Sequence, residues 1–275
     1  MVTSRLLRVG AVTYLNTRPL VCDLPRLAPH VQLLYDLPSR LADRLAAGQL
    51  DVALIPTTEV FRHPEYRIVS DACIACRGPV LSVKLLCRRP ISSIRDLALD
   101  EGSRTSAVLA QILLRERAGV RPRLRGLPIG SGLDDTAADA VLLIGDRAMH
   151  ASPAGFAEVW DLGDQWCRWS ELPMVFALWA ARPGVDLGDL ASALGAARDK
   201  GVAGLASIAR CEAPRVGLAE PQCLAYLRDN LHFVLGPPER QGLELFYRLA
   251  RQHELVPAGW KFSPADCPDD CPTAR

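Results

Sequence analysis

The sequence predicts an α/β chain folded as two lobes around a central ligand cleft, with the second lobe inserted within the first. Three observations lead there. Short apolar runs of the buried-strand type alternate with helical stretches from the first residues onward. A second alternating series begins after Arg88-Arg89-Pro90. From Leu187 onward the pattern is helical, as expected of a chain that has returned to cover its first lobe.

The elements follow in order. Leu6 to Tyr14 reads as an apolar strand, broken at Asn16-Thr17-Arg18-Pro19. Pro19 fits the first turn of a helix, with Asn16 or Thr17 as its cap. Val31 to Tyr35 is a second strand. Ser39 caps a helix through Ala47, and Gly48 follows its end. Asp51 to Ile55 is a buried strand that Pro56 terminates, and Arg67–Ile74 and Val80–Cys87 are further strands. Such a β-α-β-α-β series builds a parallel sheet covered by helices. In the second series, Leu97–Asp100 is a strand and Ser103-Arg104-Thr105-Ser106 opens a helix that reaches Ala118. Arg123–Leu127, Ala140–Ile144 and Val159–Leu162 are strands, and Val175–Ala180 is the last apolar run. Helices are expected over 187–210, 218–230 and 239–254. The first lobe is expected at 1–87 with 181–262 and the second at 88–180, with strands crossing near 85–90 and 175–182. Residues 263–275 are expected to be a disordered tail.

Composition excludes several classes of function. Lys+Arg is 32 and Asp+Glu is 31, for a net charge of +1. So balanced a chain has no bulk electrostatic attraction to nucleic acid or to anionic lipid. Only Lys84, Lys200 and Lys261 are lysines, so an anion site is expected to use arginine. Arg8, Gly10 and Asn16 interrupt the first apolar stretch, which argues against a secretory signal. No run approaches the roughly 18 apolar residues of a membrane span. A cytoplasmic location is therefore expected. The 9 cysteines are an odd number, as expected for reduced thiols. Cys73-Ile-Ala-Cys76 has zinc-site spacing, but it lies in an apolar strand with no second such pair, so no metal is assigned.

The two-lobed arrangement resembles the type 2 periplasmic-binding-protein fold, in which strand ends and helix N-termini converge on an interlobe cleft. A set of motifs carries a more specific resemblance. In order they are Gly10-Ala-Val-Thr-Tyr-Leu-Asn-Thr-Arg-Pro-Leu20, Asp51-Val-Ala-Leu-Ile-Pro56, Arg77-Gly-Pro-Val-Leu-Ser-Val83 and Leu99-Asp-Glu-Gly-Ser-Arg-Thr-Ser106. Leu143-Ile-Gly-Asp146 and Leu172-Pro-Met-Val-Phe-Ala-Leu-Trp179 complete the series. Over residues 6–255 the chain is similar to the chorismate dehydratases of the futalosine route of menaquinone biosynthesis. Thr13 stands where that family usually has serine, and a hydroxyl is kept.

The resemblance implies a lyase whose small-molecule substrate is chorismate and whose product is 3-(1-carboxyvinyloxy)benzoate. It implies no cofactor, no metal, no nucleic acid and no membrane partner. Asn16 and Ser82 are the expected catalytic residues. The rival readings are a helix cap for Asn16 and a buried hydroxyl satisfied by backbone for Ser82. Substrate contacts are expected at Thr13, Tyr14, Ser103, Arg104, Thr105, Ser106, Gly145 and Asp146. The turn at 103–106 suits an anion, because a helix N-terminus presents free N–H groups. Ser103 reads equally as an N-cap. A strand-end glycine such as Gly145 lets backbone approach a ligand. His150 is the one histidine near a motif and the one histidine candidate for a base; Asp146, which a dianionic substrate would repel, is read as a cap of the following helix or a hinge residue at the cleft rather than as a base. The substrate's own enolpyruvyl carboxylate, tethered beside the hydrogen to be lost, is the favoured proton acceptor.

Three other functions fit the fold class, which alone never determines function. One is a 1,4-dihydroxy-6-naphthoate synthase-like enzyme, disfavoured by the Thr-Tyr-Leu-Asn and Ser-Arg-Thr-Ser motifs. Another is a non-catalytic receptor for small anions, which would be expected to carry an export signal. The last is a sensing domain of a regulator, which would be expected beside a DNA-binding segment.

Overall fold

A computed structural model of the protein describes residues 6–262. The tail expected at 263–275, with Cys267 and Cys271, lies outside them. The chain opens with β1 (Leu7–Val12), a 3-10 turn (Leu15–Thr17), α1 (Arg18–Val21) and α2 (Leu24–Leu27). β2 (Val31–Asp36), α3 (Pro38–Ala46), β3 (Val52–Pro56), α4 (Thr57–Arg62) and β4 (Arg67–Cys76) follow. The next series is β5 (Val83–Cys87), β6 (Asp96–Asp100), α5 (Thr105–Ala118), β7 (Arg123–Leu127), β8 (Ala140–Ile144), α6 (Asp146–His150), β9 (Glu158–Asp161) and α7 (Leu162–Ser170). β10 (Met174–Ala181) leads back to α8 (Leu190–Ala203), α9 (Leu205–Val216) and α10 (Glu220–Ala225). A π-helical stretch (Tyr226–Asn230), β11 (His232–Val234) and α11 (Pro237–Gln252) close the described chain.

Two sheets form the two lobes. One runs β11-β4-β10-β3-β1-β2 and the other β7-β6-β8-β5-β9. β1 pairs parallel with β2 and β3, and β6 pairs parallel with β7 and β8. The purely parallel sheet expected from the β-α-β pattern is corrected at β5 and β10. β5 runs antiparallel to β8 and β9, and β10 runs antiparallel to β3 and β4. The reason is connectivity. β1, β3 and β8 all end at the cleft, so a chain that crosses at the cleft must enter its new sheet from that end, running the other way.

The expected lobe boundaries shift for the same reason. Residues 83–87 are expected in the first lobe and 174–180 in the second, but each stretch stands in the opposite sheet. The crossing segments are 77–82 and 171–173. Arg88-Arg89-Pro90 marks no boundary: Arg88 N–H donates to the Asp139 carbonyl and its guanidinium to the Leu133 and Ala138 carbonyls, at the rim of the second sheet.

All eight residues of β10 are buried, as befits a central strand covered on both faces. α5 is buried at nine of its positions, including Thr105 and Ser106. A helix enclosed on nearly all sides cannot shift without repacking the core, so its N-terminus is a rigid feature. Cys73 and Cys76 are fully buried in β4, consistent with the reading of them as strand interior. Among the described residues, no helix is long and apolar enough to cross a membrane.

Candidate active site

Strand ends of both sheets meet at one cleft. Val12, Pro56 and Ile144 line it from the ends of β1, β3 and β8, and Val83 and Phe176 from the starts of β5 and β10. The cleft, counted together with the open solvent at its mouth, holds about 530 Å³ of empty space. Tyr14, Asn16, Ser82, Ser103, Arg104, Thr105, Ser106 and Gly145 also line it, so eight of the ten expected site residues converge there.

Asn16 is not a cap. Neither the 3-10 turn nor α1 has a side-chain cap hydrogen bond, and Asn16 instead faces the cleft. Its amide lies within hydrogen-bonding reach of the Tyr226 hydroxyl. That hydroxyl donates to Ser82 Oγ at 2.9 Å. Ser82 Oγ in turn donates to the Val80 carbonyl at 3.3 Å. The two expected catalytic side chains, from opposite lobes, thus share one buried phenol. Burial pushes the Tyr226 pKa well above its ordinary value, while the Ser82 and Asn16 contacts pull the other way, so Tyr226 is a neutral donor at working pH. Tyr226 has no local sequence signal: it begins the π-helical stretch inside what the apolar period reads as one helix, 218–230. Wide helical turns of this kind are frequent at functional sites.

The N-terminus of α5 forms a second polar wall. Its capping residue is Arg104 rather than Ser103, and no side chain caps it. Ser103 N–H is committed to the Asp100 carbonyl. The first N–H groups of a 14-residue helix therefore face the cleft without a capping oxygen, the arrangement that receives an anionic oxygen. Thr105 Oγ1 accepts the Thr58 N–H at 3.3 Å, which ties this turn to the other lobe. Arg104 also spans the lobes. Its guanidinium binds Glu59 Oε2 at 2.7 Å and the Asp43 carboxylate, so its charge is already paired.

Tyr14 crosses the cleft and lies against Gly145. A Cβ at Gly145 would come within 2.5 Å of the Tyr14 ring. Burial and the neighbouring Asp100 carboxylate push the Tyr14 pKa up to about 12, so it too stays neutral. Gly145 N–H donates to the Ser82 carbonyl at 2.9 Å.

Three expectations are relocated. Thr13 is exposed and off the cleft wall, its N–H bound to the Asp36 carbonyl, because it falls on the outward side of the turn after β1. Asp146 stands behind the wall. Its carboxylate accepts the Leu15 N–H at 3.1 Å and so latches the second lobe onto the first, and burial raises its pKa. His150 is exposed at the end of α6, with Nε2 at 2.7 Å from the Val216 carbonyl, facing away from the cleft.

Among the described cleft-lining residues none carries a carboxylate or an imidazole. The wall offers hydroxyls, an amide, backbone N–H groups, apolar surface and the Arg104 guanidinium, which Glu59 and Asp43 already pair. Such a site favours anionic oxygens through neutral donors in a partly desolvated space, where each hydrogen bond is stronger than in water.

A family model described as menaquinone biosynthesis matches residues 7–252. A chorismate dehydratase from Thermus thermophilus is 33% identical, the match covering 83% of this chain and 94% of that protein. Among solved structures, a protein of Archaeoglobus fulgidus superposes with a TM-score of 0.71 at 16% identity, covering 92% of this chain and 100% of that one. The periplasmic aliphatic sulphonate binding protein of Escherichia coli superposes with a TM-score of 0.62 at 14% identity, covering 93% and 90%. Those structural likenesses establish the periplasmic-binding-protein-like fold. The match to the family model over nearly the whole chain, with the 33% identical relative, settles the rest: this protein belongs to the menaquinone biosynthesis family.

Proposed function

We propose that this protein is a cytoplasmic chorismate dehydratase, a hydro-lyase that converts chorismate to 3-(1-carboxyvinyloxy)benzoate. The observation that carries the reading is the pairing of Asn16 and Ser82 on one buried Tyr226 hydroxyl, across a cleft from an uncapped helix N-terminus. Chorismate is a dianion with a ring hydroxyl next to the carbon that bears its enolpyruvyl ether. The α5 N-terminus supplies N–H donors for one carboxylate. In this reading Asn16 donates to the departing hydroxyl, and Ser82 joins it by turning its hydroxyl from the Val80 carbonyl to the ligand. The product ring is aromatic, so the driving force lies in the substrate. The protein's task is to hold the reacting conformer.

With no carboxylate or imidazole on the wall, the enolpyruvyl carboxylate is the proton acceptor in this reading. It is tethered beside the hydrogen to be removed, and proximity alone supplies a large effective concentration. The C–H electron pair becomes part of the aromatic ring, the C–O bond breaks, and the proton taken up by the carboxylate passes to the departing hydroxide, which leaves as water.

Purified protein incubated with chorismate is expected to yield a product lighter by one water, detected by mass spectrometry. Turnover is expected to survive chelator unchanged, since among the described residues no three His, Cys, Asp or Glu side chains converge as a metal site requires. Activity lost to chelator and restored by zinc would contradict this. Intact chorismate beside turnover of a naphthoate-synthase substrate would overturn the reading itself.

Tyr226→Phe keeps the ring and removes the shared hydroxyl. Steady-state kinetics should give a kcat lower by roughly tenfold, about 1.4 kcal/mol, with KM within about threefold. An unchanged kcat would make Tyr226 a packing residue only.

A further inference from the structure

The segment that delivers Ser82 to the cleft is strained. Leu81 has φ +58°, in the left-handed region that a leucine avoids. Ser82 N–H donates to the Val80 carbonyl at 2.6 Å, closing a three-residue turn of the rare, positive-φ kind. Leu81 is exposed, so its side chain gains little from burial in return. Something else has to hold the turn.

That something is the Asp161 carboxylate. Oδ1 accepts the Val80 N–H at 3.0 Å and Oδ2 accepts the Leu81 N–H at 2.6 Å. Asp161 ends β9 and also caps α7, accepting the Asp164 N–H at 3.1 Å. It is therefore fixed by the second sheet while it grips the crossing segment. On the far side, the Ser82 carbonyl accepts the Gly145 N–H. Burial raises the Asp161 pKa against the pull of the Val80, Asp164 and Leu81 N–H groups. That one carboxylate both caps α7 and holds the turn that carries Ser82.

We infer that Asp161 is a positioning residue, whose carboxylate holds the Val80–Ser82 turn in its strained conformation and so sets the Ser82 hydroxyl where it can meet the departing hydroxyl. The inference rests on the role given to Ser82 above. Strain of this kind persists only where its surroundings over-determine it, and it concentrates at functional sites.

Asp161→Asn tests it cleanly. Asparagine keeps an oxygen for Val80 and Asp164 and remains a good helix cap, but it brings an amide donor against the Leu81 N–H. The expected result is a kcat lower by roughly tenfold to a hundredfold, the effect of misplacing a reacting group by about 1 Å, with KM little changed. Leu81→Gly removes the cost of positive φ. In that background the same change should cost less than about threefold, because the turn no longer needs to be forced. In a Ser82→Ala background Asp161→Asn should likewise cost no more than about twofold, since nothing remains to be aimed. Thermal melting checks that each variant is folded. Equal losses in all three backgrounds, or a rise in KM with kcat intact, would overturn the inference. Wild-type protein that leaves chorismate unchanged would overturn the functional reading, and the inference with it.

Discussion

Replacing Asn16 by alanine is expected to lower kcat by roughly 10²–10³-fold, with KM changed far less. The argument is differential binding. Asn16 caps no helix in this structure, so its loss should cost little stability. Its amide faces the cleft beside the Tyr226 hydroxyl, where its hydrogen bond strengthens only as negative charge develops on the departing oxygen. Removing one donor of an oxyanion-type site costs roughly 10²–10³ in kcat, about 2.7–4 kcal/mol. Asn16→Asp should be at least as damaging, because it removes a donor and sets a charge against a dianion. His150→Ala should leave kcat within about twofold, since its ring engages the Val216 carbonyl away from the cleft. The measurement is kcat and KM for the three variants, with folding checked by circular dichroism. A near-normal kcat for Asn16→Ala would reduce Asn16 to a wall residue.

Gly145→Ala should be nearly as costly by another route. Gly145 has φ +70° and ψ −158°, a conformation essentially reserved to glycine. An alanine Cβ would also meet three atoms of the Tyr14 ring at 2.5, 2.6 and 2.8 Å. Either the ring leaves the cleft or the backbone turns. If the backbone turns, the Gly145 bond to the Ser82 carbonyl and the adjoining Asp146 latch on Leu15 are both lost. Strain of about 1–3 kcal/mol and an overlap of similar size converge on the interlobe contact. The expected result is kcat/KM lower by roughly a hundredfold, with a modest fall in Tm. Wild-type kinetics would mean that the lobes need not close over Tyr14.

Much of this was legible in the sequence, for identifiable reasons. Apolar runs such as Val52–Pro56 and Ala140–Ile144 are buried on both faces, so their strand character is written in composition. The turn at 103–106 announces itself through small hydroxyl residues before an apolar run. Which sheet a strand joins is not written there. Val83–Cys87 and Met174–Ala181 have the same buried character in either lobe, and only the crossing topology assigns them. Thr57–Arg62, following Pro56, spans less than two turns, too short for a period to be read. Tyr226 and Asp161 were illegible for a different reason. Tyr226 acts on a residue 144 positions away and Asp161 on ones 81 and 80 away, and no local pattern encodes such contacts. Membership of the Leu143–Asp146 motif points to the cleft for Asp146, yet says nothing of which way its side chain turns. In the structure α6 carries the Asp146 and His150 side chains past the wall, one to Leu15 and the other to Val216.

The central claim is that this cleft removes water from chorismate, taking the hydrogen from the carbon that bears the ether. Chorismate deuterated at that one carbon tests it most directly, with mass spectrometry of the product and rates compared against unlabelled substrate. The account predicts that the label leaves as deuterated water, that the product keeps its enolpyruvyl group on an aromatic ring, and that the label slows single-turnover chemistry. A product that retains the deuterium, or has rearranged or released pyruvate, would contradict it.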